Sequence, residues 1–236
     1  MDLPSGTVTF LFTDVEDSTR RWQEDPTAMA VALREHDAVL VEEIEARGGA
    51  VFKHTGDGVC AVFPTASSTV EAAQAAQSRV ALPVRMGAHT GEAERRGDDY
   101  FGLTVNRAAR VMDAGHGGQL LVSAATAALL DPGIELLDLG THCLKGITVP
   151  ERILQVGRAE FPPLRVENRL LGNLPAPASG MVGREEELAR TRELLAGHRL
   201  VTLTGVGGSG KTRLALAVAE AERPRFGQSR TSSSSP

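Results

Sequence analysis

The sequence is poor in aromatic residues, in cysteine and in long apolar runs. Aromatic side chains make up 4% of the 236 residues, so base stacking on aromatic platforms is not expected and the core must be aliphatic. Cys60 and Cys143 are the two cysteines, and their separation excludes a disulfide framework or a cysteine-rich zinc site and fits a reducing compartment. No stretch approaches the roughly 18 apolar residues of a membrane span, and the N-terminus lacks a basic leader. We therefore expect a cytoplasmic protein without a membrane segment.

The sequence also lacks an excess of positive charge, since it has 25 Lys and Arg residues against 30 Asp and Glu residues. The formal net charge is -5, which argues against a broad basic surface for nucleic acid or acidic lipid. No nucleic acid partner is expected, and any phosphate binding must be local. Apolar residues make up 42% and charged residues 23%, an ordinary globular composition that excludes a chain disordered throughout.

Hydrophobic patterning predicts an α+β domain over residues 1–158. Residues 7–13 predict a strand and residues 26–47 an amphipathic helix. The runs 50–55 and 59–63 predict a hairpin, because the Gly56-Asp57-Gly58 segment between them tolerates positive φ. Further helices are predicted over 66–79, 104–114 and 124–130, and further strands over 84–88, 120–123 and within 134–157. This order favours a ferredoxin-like, mainly antiparallel sheet with helices on one face.

The rest of the chain predicts a linker and a small second unit. Residues 159–180 are Pro-rich and lose periodicity, which is typical of a linker. Residues 181–222 predict a short strand-and-helix fragment, with a helix over 184–196 and a buried strand over 198–204. The Ser-rich residues 223–236 predict a disordered tail.

The fragment carries the sequence GVGGSGKT at 205–212, which matches the P-loop pattern between a predicted strand and helix. Its backbone N–H groups can cradle phosphates, Lys211 can reach terminal phosphate oxygens, and Thr212 can hold magnesium. The predicted phosphate-binding residues are Gly205, Gly210, Lys211 and Thr212. Hydrolysis also needs a second strand that ends in an acidic metal ligand and a water-positioning group, for which the 24 residues after Thr212 are too few. We expect a truncated NTPase start without turnover; residues 181–185 resemble the opening of AAA/STAND-type signalling NTPases.

Two carboxylates are candidates for a metal site. Asp14 ends the first predicted strand, and Asp57 lies at the tip of the predicted hairpin. If these strands are neighbours, the two carboxylates converge at one edge of the sheet. Hard oxygen ligands so placed suit Mg²⁺ or Mn²⁺, with nucleotide phosphates completing the shell. The alternative is that Asp14 is a helix cap and Asp57 a turn former.

A second pair of polar residues lies on the helix predicted from 104. Asn106 and Arg110 are four residues apart and share a face. An amide and a guanidinium are good donors to sugar and phosphate oxygens. The alternative is a solvated helix face.

Three segments together resemble the class III adenylyl/guanylyl cyclase catalytic domain. They are FTDVE (12–16), KHTGDG (53–58) and DYFGLTVNRAAR (99–110), and they follow one another in the family's order. The likeness spans about residues 5–157 and is close to bacterial cyclase domains fused to a downstream NTPase. It implies the cyclase fold and an adenylyl cyclase that converts ATP to 3′,5′-cyclic AMP and pyrophosphate in signal transduction.

The resemblance also implies a role for each matching position. The metal-binding aspartates are matched by Asp14 and Asp57, which would hold two Mg²⁺ or Mn²⁺ ions per site. The other matched positions are Lys53 and Asp99 for the purine, Asn106 and Arg110 for the ribose and the transition state, and Lys145 for the triphosphate. Sites of this family lie between two subunits, so the resemblance implies a homodimer with two equivalent sites and an inactive monomer.

Adenine rather than guanine is the expected base. Lys53 can only donate and ionised Asp99 can only accept, which fits the N1 acceptor and amino donor of adenine. Two departures from the family stand out: Asp17 occupies a position where glycine is frequent, and Asp98 adjoins Asp99, which leaves open which of them reads the base. The alternative function is a non-catalytic nucleotide-sensing domain that regulates an attached NTPase or transcription factor.

Overall fold

The computed structural model describes residues 3–166, 183–198, 200–206 and 208–227. The chain divides into two compact units, residues 1–170 and residues 171–236. The first unit is built on a seven-stranded sheet, in which one pair of neighbouring strands is parallel and the other five pairs are antiparallel. The predicted α+β, antiparallel-rich fold class is confirmed.

The elements of the first unit have the following bounds. Its sheet strands are β1 (Thr7–Val15), β2 (Ala50–His54), β3 (Val59–Phe63), β4 (Val84–Glu92), β7 (Leu120–Ser123), β8 (Leu136–His142) and β9 (Glu151–Val156). Their order across the sheet is β2-β3-β1-β4-β7-β9-β8, and β4 and β7 are the parallel pair. A separate two-stranded ribbon consists of β5 (Glu94–Arg96) and β6 (Asp99–Phe101). The helices are α1 (Ser18–Glu24), α2 (Pro26–Ala46), α3 (Ala66–Arg79), α4 (Leu103–Asp113) and α5 (Ala124–Ala127). The ribbon and α1 were not predicted from the sequence pattern.

Helices cover both faces of the sheet, so the prediction that they lie on one face is wrong. Strand β1 sends Phe10 into a cluster with Met112 of α4. On its opposite face, Leu11 packs into a second cluster with Leu40 of α2 and Val70 of α3. Since β1 is apolar at successive positions, both of its faces must be covered by other elements.

A glycine allows α4 to lie directly on the sheet. A Cβ atom at Gly87 of β4 would lie 2.3 Å from the backbone nitrogen of Met112. No side chain larger than hydrogen fits in that space. The backbone of α4 is therefore fixed against β4, which also fixes the positions of Asn106 and Arg110 on that helix.

The segment after β9 belongs to the first unit. Residues 159–166, which the sequence pattern assigns to the linker, lie within the compact unit that runs to residue 170. The backbone N–H of Arg165 donates to the carbonyl of Ala114 at 2.9 Å, and Leu164 and Val166 pack on a buried apolar cluster. The composition of this segment predicted a linker. The prediction missed its apolar contacts because they are made with residues distant in sequence. The remainder of the predicted linker, residues 167–180, lies outside the described residues.

The second unit contains α6 (Glu185–Gly197) and α7 (Lys211–Gly227). The strand predicted over 198–204 is wrong for the described residues 200–204, which have no regular hydrogen bonding. A single strand without a paired neighbour cannot satisfy its backbone groups. Helix α7 continues to Gly227, so the disordered tail predicted over 223–236 is wrong for residues 223–227. Residues 228–236 lie outside the described residues. Among the described residues, every helix is too short or too polar to span a bilayer.

Buried polar side chains connect β1, β4 and β7. The His89 Nδ1 atom lies 2.7 Å from Ser123 Oγ, and the Thr90 hydroxyl hydrogen-bonds with those of Thr9 and Thr126. His89 is 3% exposed. Burial, with a smaller contribution from the charge of Arg107, lowers the pKa of His89 from 6.5 to about 4. The imidazole is therefore neutral in the folded protein at neutral pH.

The stability of the fold should fall in mild acid because of His89. Below pH 6.5 the unfolded chain binds a proton at this imidazole, whereas the folded chain does so only near pH 4. The free energy of unfolding should fall by about 2 kcal/mol between pH 7 and pH 5 through this one group. Urea titrations at the two pH values should show this fall reduced in His89→Gln and unchanged in the exposed control His54→Gln. Equal pH dependence in all three proteins would contradict the assignment.

Candidate active site

Asp14 and Asp57 lie in one cavity. Asp14 is near the end of β1, and Asp57 is in the turn between β2 and β3; β1 and β3 are paired neighbours. Both aspartates line a cavity of about 550 Å³. The convergence predicted from the order of the strands is therefore present in the structure.

Gly58 permits this convergence. Its ideal Cβ position lies 1.9 Å from the carbonyl oxygen of Thr13 and 3.2 Å from the Cα of Asp14. Thr13 Oγ1 accepts a hydrogen bond of 2.9 Å from the backbone N–H of Val59. Within the turn, the N–H of Thr55 donates to the carbonyl of Gly58 at 2.9 Å. The glycine thus lets the hairpin tip lie directly against the strand that carries Asp14.

Arg85 is a member of this cavity that sequence reasoning missed. It lies opposite Asp14 in the β1–β4 register, and its Nε atom donates to Asp14 Oδ2 at 2.8 Å. Burial raises the pKa of Asp14, Arg85 opposes that rise, and the charge of Asp57 adds to it. A correct pairing of β1 with β4 would have revealed Arg85, because register determines which side chains are neighbours.

The donor set fits a hard divalent cation that shares its shell with another ligand. Among the described residues, no group of three or more His, Cys, Asp or Glu side chains is placed to hold a metal. Two converging carboxylates leave most positions of an octahedral shell for water or phosphate oxygens, as is usual for Mg²⁺. The rise in the pKa of Asp14 caused by Asp57 is the repulsion that a cation would relieve.

Lys53 pairs with Asp99 rather than with Asp98. The Nζ atom of Lys53 lies 3.0 Å from Asp99 Oδ2, and Asp99 Oδ1 also accepts from the N–H of Tyr100 at 2.8 Å. The bond to Lys53 and then that to Tyr100 lower the pKa of Asp99, so it is an ionised acceptor at neutral pH. Asp98 lines a different pocket, beside Phe52.

The remaining predicted residues lie at the surface. Asn106 on α4 is exposed, and Arg110 is partly exposed and donates to Asp113 Oδ2 at 2.7 Å. Lys145 is exposed in the loop between β8 and β9. Asp113 also contributes to the raised pKa of Asp14, so the end of α4 lies within electrostatic range of the cavity.

The predicted residues thus form two separate groups in one chain. Asp14 and Asp57 share a cavity with Arg85, whereas Lys53 and Asp99 form a pair elsewhere. The other five residues predicted for the cyclase site are not among the described residues that line this cavity. They are Lys53, Asp99, Asn106, Arg110 and Lys145.

Asp17 lines the same cavity in a strained backbone conformation. With φ 57° and ψ 28° it lies in the left-handed region, as does no other non-glycine residue among those described. Its side chain makes no capping hydrogen bond to α1. This conformation explains why a glycine suits the position.

Replacing Asp17 with glycine should stabilise the fold by about 0.5 kcal/mol, since relief of the left-handed strain exceeds the loss of an exposed ion pair with Arg20. Asp17→Ala is the matched control because it removes the same carboxylate but keeps the strain. Urea unfolding midpoints should rank Asp17→Gly above the wild type and Asp17→Ala below it. The reverse order for the two variants would exclude backbone strain as the cause.

The P-loop motif lies in the second unit. Lys211 Nζ donates to the carbonyls of Gly205 at 2.9 Å and Val206 at 2.8 Å. Gly208 and Gly210 have positive φ, and Thr212 is in the first turn of α7. Residue 207 of the motif lies outside the described residues.

The architecture is similar to that of solved cyclase domains. The chain aligns with an adenylate cyclase from Trypanosoma brucei, solved in its monomeric state, with a TM-score of 0.65 and 25% identity over 69% of this chain and 95% of that one. The fold of the first unit is therefore that of a nucleotide cyclase catalytic domain.

Sequence comparison agrees with this class. Residues 67–156 match the adenylate and guanylate cyclase catalytic domain family. An uncharacterised protein of Mycobacterium tuberculosis is 39% identical over 199 residues, covering 79% of this chain and 70% of that protein. An adenylate cyclase of Neurospora crassa is 29% identical over 65% of this chain, which spans only 10% of that protein. Residues 67–156 therefore belong to the adenylate and guanylate cyclase catalytic domain family.

Proposed function

We propose that the first unit is an adenylyl cyclase that converts ATP to 3′,5′-cyclic AMP and pyrophosphate in signal transduction. The observation that carries the proposal is the shared cavity of Asp14 and Asp57, formed by neighbouring strands of a cyclase-family fold. In the reaction the ribose 3′-oxygen bonds to the α-phosphorus, the bond from that phosphorus to the bridging oxygen breaks, and the hydroxyl proton is released. Pyrophosphate is the leaving group.

The chain's residues divide this chemistry among them. Asp14 and Asp57 would hold two Mg²⁺ or Mn²⁺ ions, which lower the pKa of the 3′-hydroxyl and neutralise phosphate charge when bound. Arg85 provides a guanidinium at the same cavity for phosphate oxygens. Asn106 would orient the ribose, and Arg110 would stabilise negative charge that develops on the oxygens around the α-phosphorus.

Base selection is assigned to Lys53 and Asp99. Their side chains are 53% and 33% exposed, so a base can reach both. Lys53 donates to N1 of adenine, and Asp99 accepts from its amino group. Guanine presents a donor and an acceptor in the reverse order and leaves both protein groups unpaired. Lys145 is proposed to bind the triphosphate.

A complete site requires two chains under this proposal. The cavity with Asp14 and Asp57 and the pair Lys53–Asp99 are separate in one chain, so a second copy would supply the base-reading and ribose-binding groups. A symmetric homodimer contains two such sites. Activity should then rise with protein concentration more steeply than linearly.

The test is identification of the product from ATP and from GTP with Mn²⁺ over a range of protein concentrations. We expect cyclic AMP from ATP and a much lower turnover of GTP. Lys53→Ala and Asp99→Ala should each raise KM for ATP and reduce the preference for ATP about tenfold or more. Absence of cyclic AMP at every concentration at which the chain is dimeric would refute the proposal.

The P-loop motif favours a second candidate, a nucleotide-sensing regulatory chain without turnover. Gly205, Gly210, Lys211 and Thr212 would bind phosphate, with phosphate oxygens replacing the loop carbonyls that Lys211 now contacts. Tight ATP binding that is lost in Lys211→Ala, without any cyclic product, would favour this candidate over the cyclase.

A further inference from the structure

The segment Phe161–Val166, here called the strap, follows β9 in the chain and packs against the rest of the first unit. The backbone N–H of Arg165 donates to the Ala114 carbonyl, and the ring of His116 hydrogen-bonds with the Pro163 carbonyl at 3.0 Å. Leu164 and Val166 pack on the cluster that contains Val111 and Ile153. The strap therefore has a defined position, set by both backbone hydrogen bonds and apolar contacts.

This position brings Arg165 into the cavity of Asp14 and Asp57. Its guanidinium is 42% exposed, lines that cavity, and forms an ion pair with Glu16, two residues beyond Asp14. The Glu16 side chain is 22% exposed. The backbone of Glu16 is fixed by a hydrogen bond from its N–H to the Pro83 carbonyl at 2.9 Å. The strap thus adds a cation to a site whose other lining residues belong to the first 85 residues.

Each arginine of the cavity is paired with a carboxylate. Arg85 contacts Asp14, Arg20 contacts Asp17, and Arg165 contacts Glu16. A nucleoside triphosphate introduces several negative charges among these carboxylates, and it needs cationic partners to offset the repulsion. Arginine is suited to this because its planar guanidinium donates to two phosphate oxygens at once.

We propose that Arg165 is a substrate-positioning residue that binds the polyphosphate of the nucleotide, and that Glu16 holds it in place until the polyphosphate replaces that carboxylate as the acceptor. The inference rests on the proposed function for the identity of the nucleotide. The residue lies beyond 156, where the match to the cyclase family ends, so no motif of the family marks it.

A purely structural ion pair makes the opposite prediction for one variant. If the Glu16–Arg165 pair only fastens the strap, removal of either partner weakens the same contact, and both variants change stability and binding in the same direction. If Arg165 binds polyphosphate, Arg165→Ala weakens binding, whereas Glu16→Gln removes a competing acceptor and a negative charge and strengthens binding. The two variants therefore differ in sign only under the proposal.

The experiment is calorimetric titration of the full chain with inorganic triphosphate in metal-free buffer. We expect about tenfold weaker binding for Arg165→Ala, as for loss of a charge-assisted hydrogen bond, a smaller loss for Arg165→Lys, and binding at least as tight as wild type for Glu16→Gln. Arg158→Ala is the matched control, because Arg158 also pairs with a carboxylate, Glu135, outside this cavity; it should bind as the wild type does.

Equal binding by the wild type and Arg165→Ala, or parallel losses in Arg165→Ala and Glu16→Gln, would overturn the inference. Steady-state assays then separate it from the proposed function: Arg165→Ala should raise KM for ATP about tenfold with kcat changed less than about threefold. Cyclic AMP formation with an unaltered KM would retain the cyclase and reject the role of Arg165. Triphosphate binding that depends on Arg165 without any cyclic AMP would reject the cyclase and retain the anion site.

Discussion

Replacing Asp57 with asparagine is expected to lower kcat for cyclic AMP formation by about 100-fold or more, and Asp14→Asn should have the same effect. Asparagine keeps the shape of the side chain and can still form the turn at 57, but it removes the negative charge that holds a divalent cation. Because both carboxylates line one cavity, neither is expected to substitute for the other. The measurement is kcat from ATP at saturating Mn²⁺.

The loss of activity should not be accompanied by loss of the fold. Burial is the main cause of the raised pKa of Asp14, and the charge of Asp57 adds to it, so removal of that charge relieves a repulsion in the metal-free protein. Mn²⁺ should raise the melting temperature of the wild type by mass action, but not that of Asp57→Asn. Asp131→Asn makes the same chemical change at an exposed position outside the cavity and should leave both readouts unchanged. Mn²⁺-dependent stabilisation that persists in Asp57→Asn would place the ion elsewhere.

Replacing Gly58 with alanine is expected to destabilise the first unit by about 3 kcal/mol or more. The added methyl group would lie 1.9 Å from the carbonyl oxygen of Thr13, and this oxygen belongs to the backbone of a buried strand. No change of rotamer relieves such a contact, so the hairpin tip must move away from β1. Since Asp57 moves with it, kcat should also fall by about 100-fold or more in whatever fraction stays folded.

Two other glycines separate this effect from a general response to alanine. Gly133 has open space around its Cβ position and an ordinary φ, so Gly133→Ala should change the free energy of unfolding by less than about 0.5 kcal/mol. Gly56 lies in the same turn, with open space but a φ of +91°, so Gly56→Ala measures backbone strain alone at about 1 kcal/mol. Urea unfolding of the three variants is the measurement. A Gly58→Ala protein as stable as Gly56→Ala would mean that the close approach is absent in solution.

Local patterns predicted most of the first unit. The helix from 26, the hairpin around Asp57 and the helices beginning near 66 and 104 agree with the structure to within a few residues. Each of these depends on hydrophobic periodicity, capping residues and turn glycines, which act over neighbouring positions. The same patterns missed helix α1 and the ribbon of β5 and β6, because α1 and β5 are short and mostly polar and so carry no hydrophobic periodicity.

The site was only partly predictable for a related reason. Asp14 and Asp57 were found because one ends a strand and the other lies in a turn, positions that sequence can recognise. Arg85 and Arg165 have no such mark, and each enters the cavity through a contact made across the chain, the β1–β4 register for one and the strap for the other. Only the tertiary structure likewise shows that Lys53 pairs with Asp99 and not with Asp98.

The amino-acid sequence by itself determined the α+β class, the position of the hairpin and the choice of Asp14 and Asp57 as candidate ligands, because each of these follows from the chemistry of residues close together in the chain. Tertiary structure alone decided that helices cover both faces of the sheet, that Asp14 has Arg85 as its counter-ion, and that a segment with the composition of a linker adds Arg165 to the cavity. These features depend on strand register and on packing between distant segments, and the stabilising contacts between those segments form only when the chain is folded.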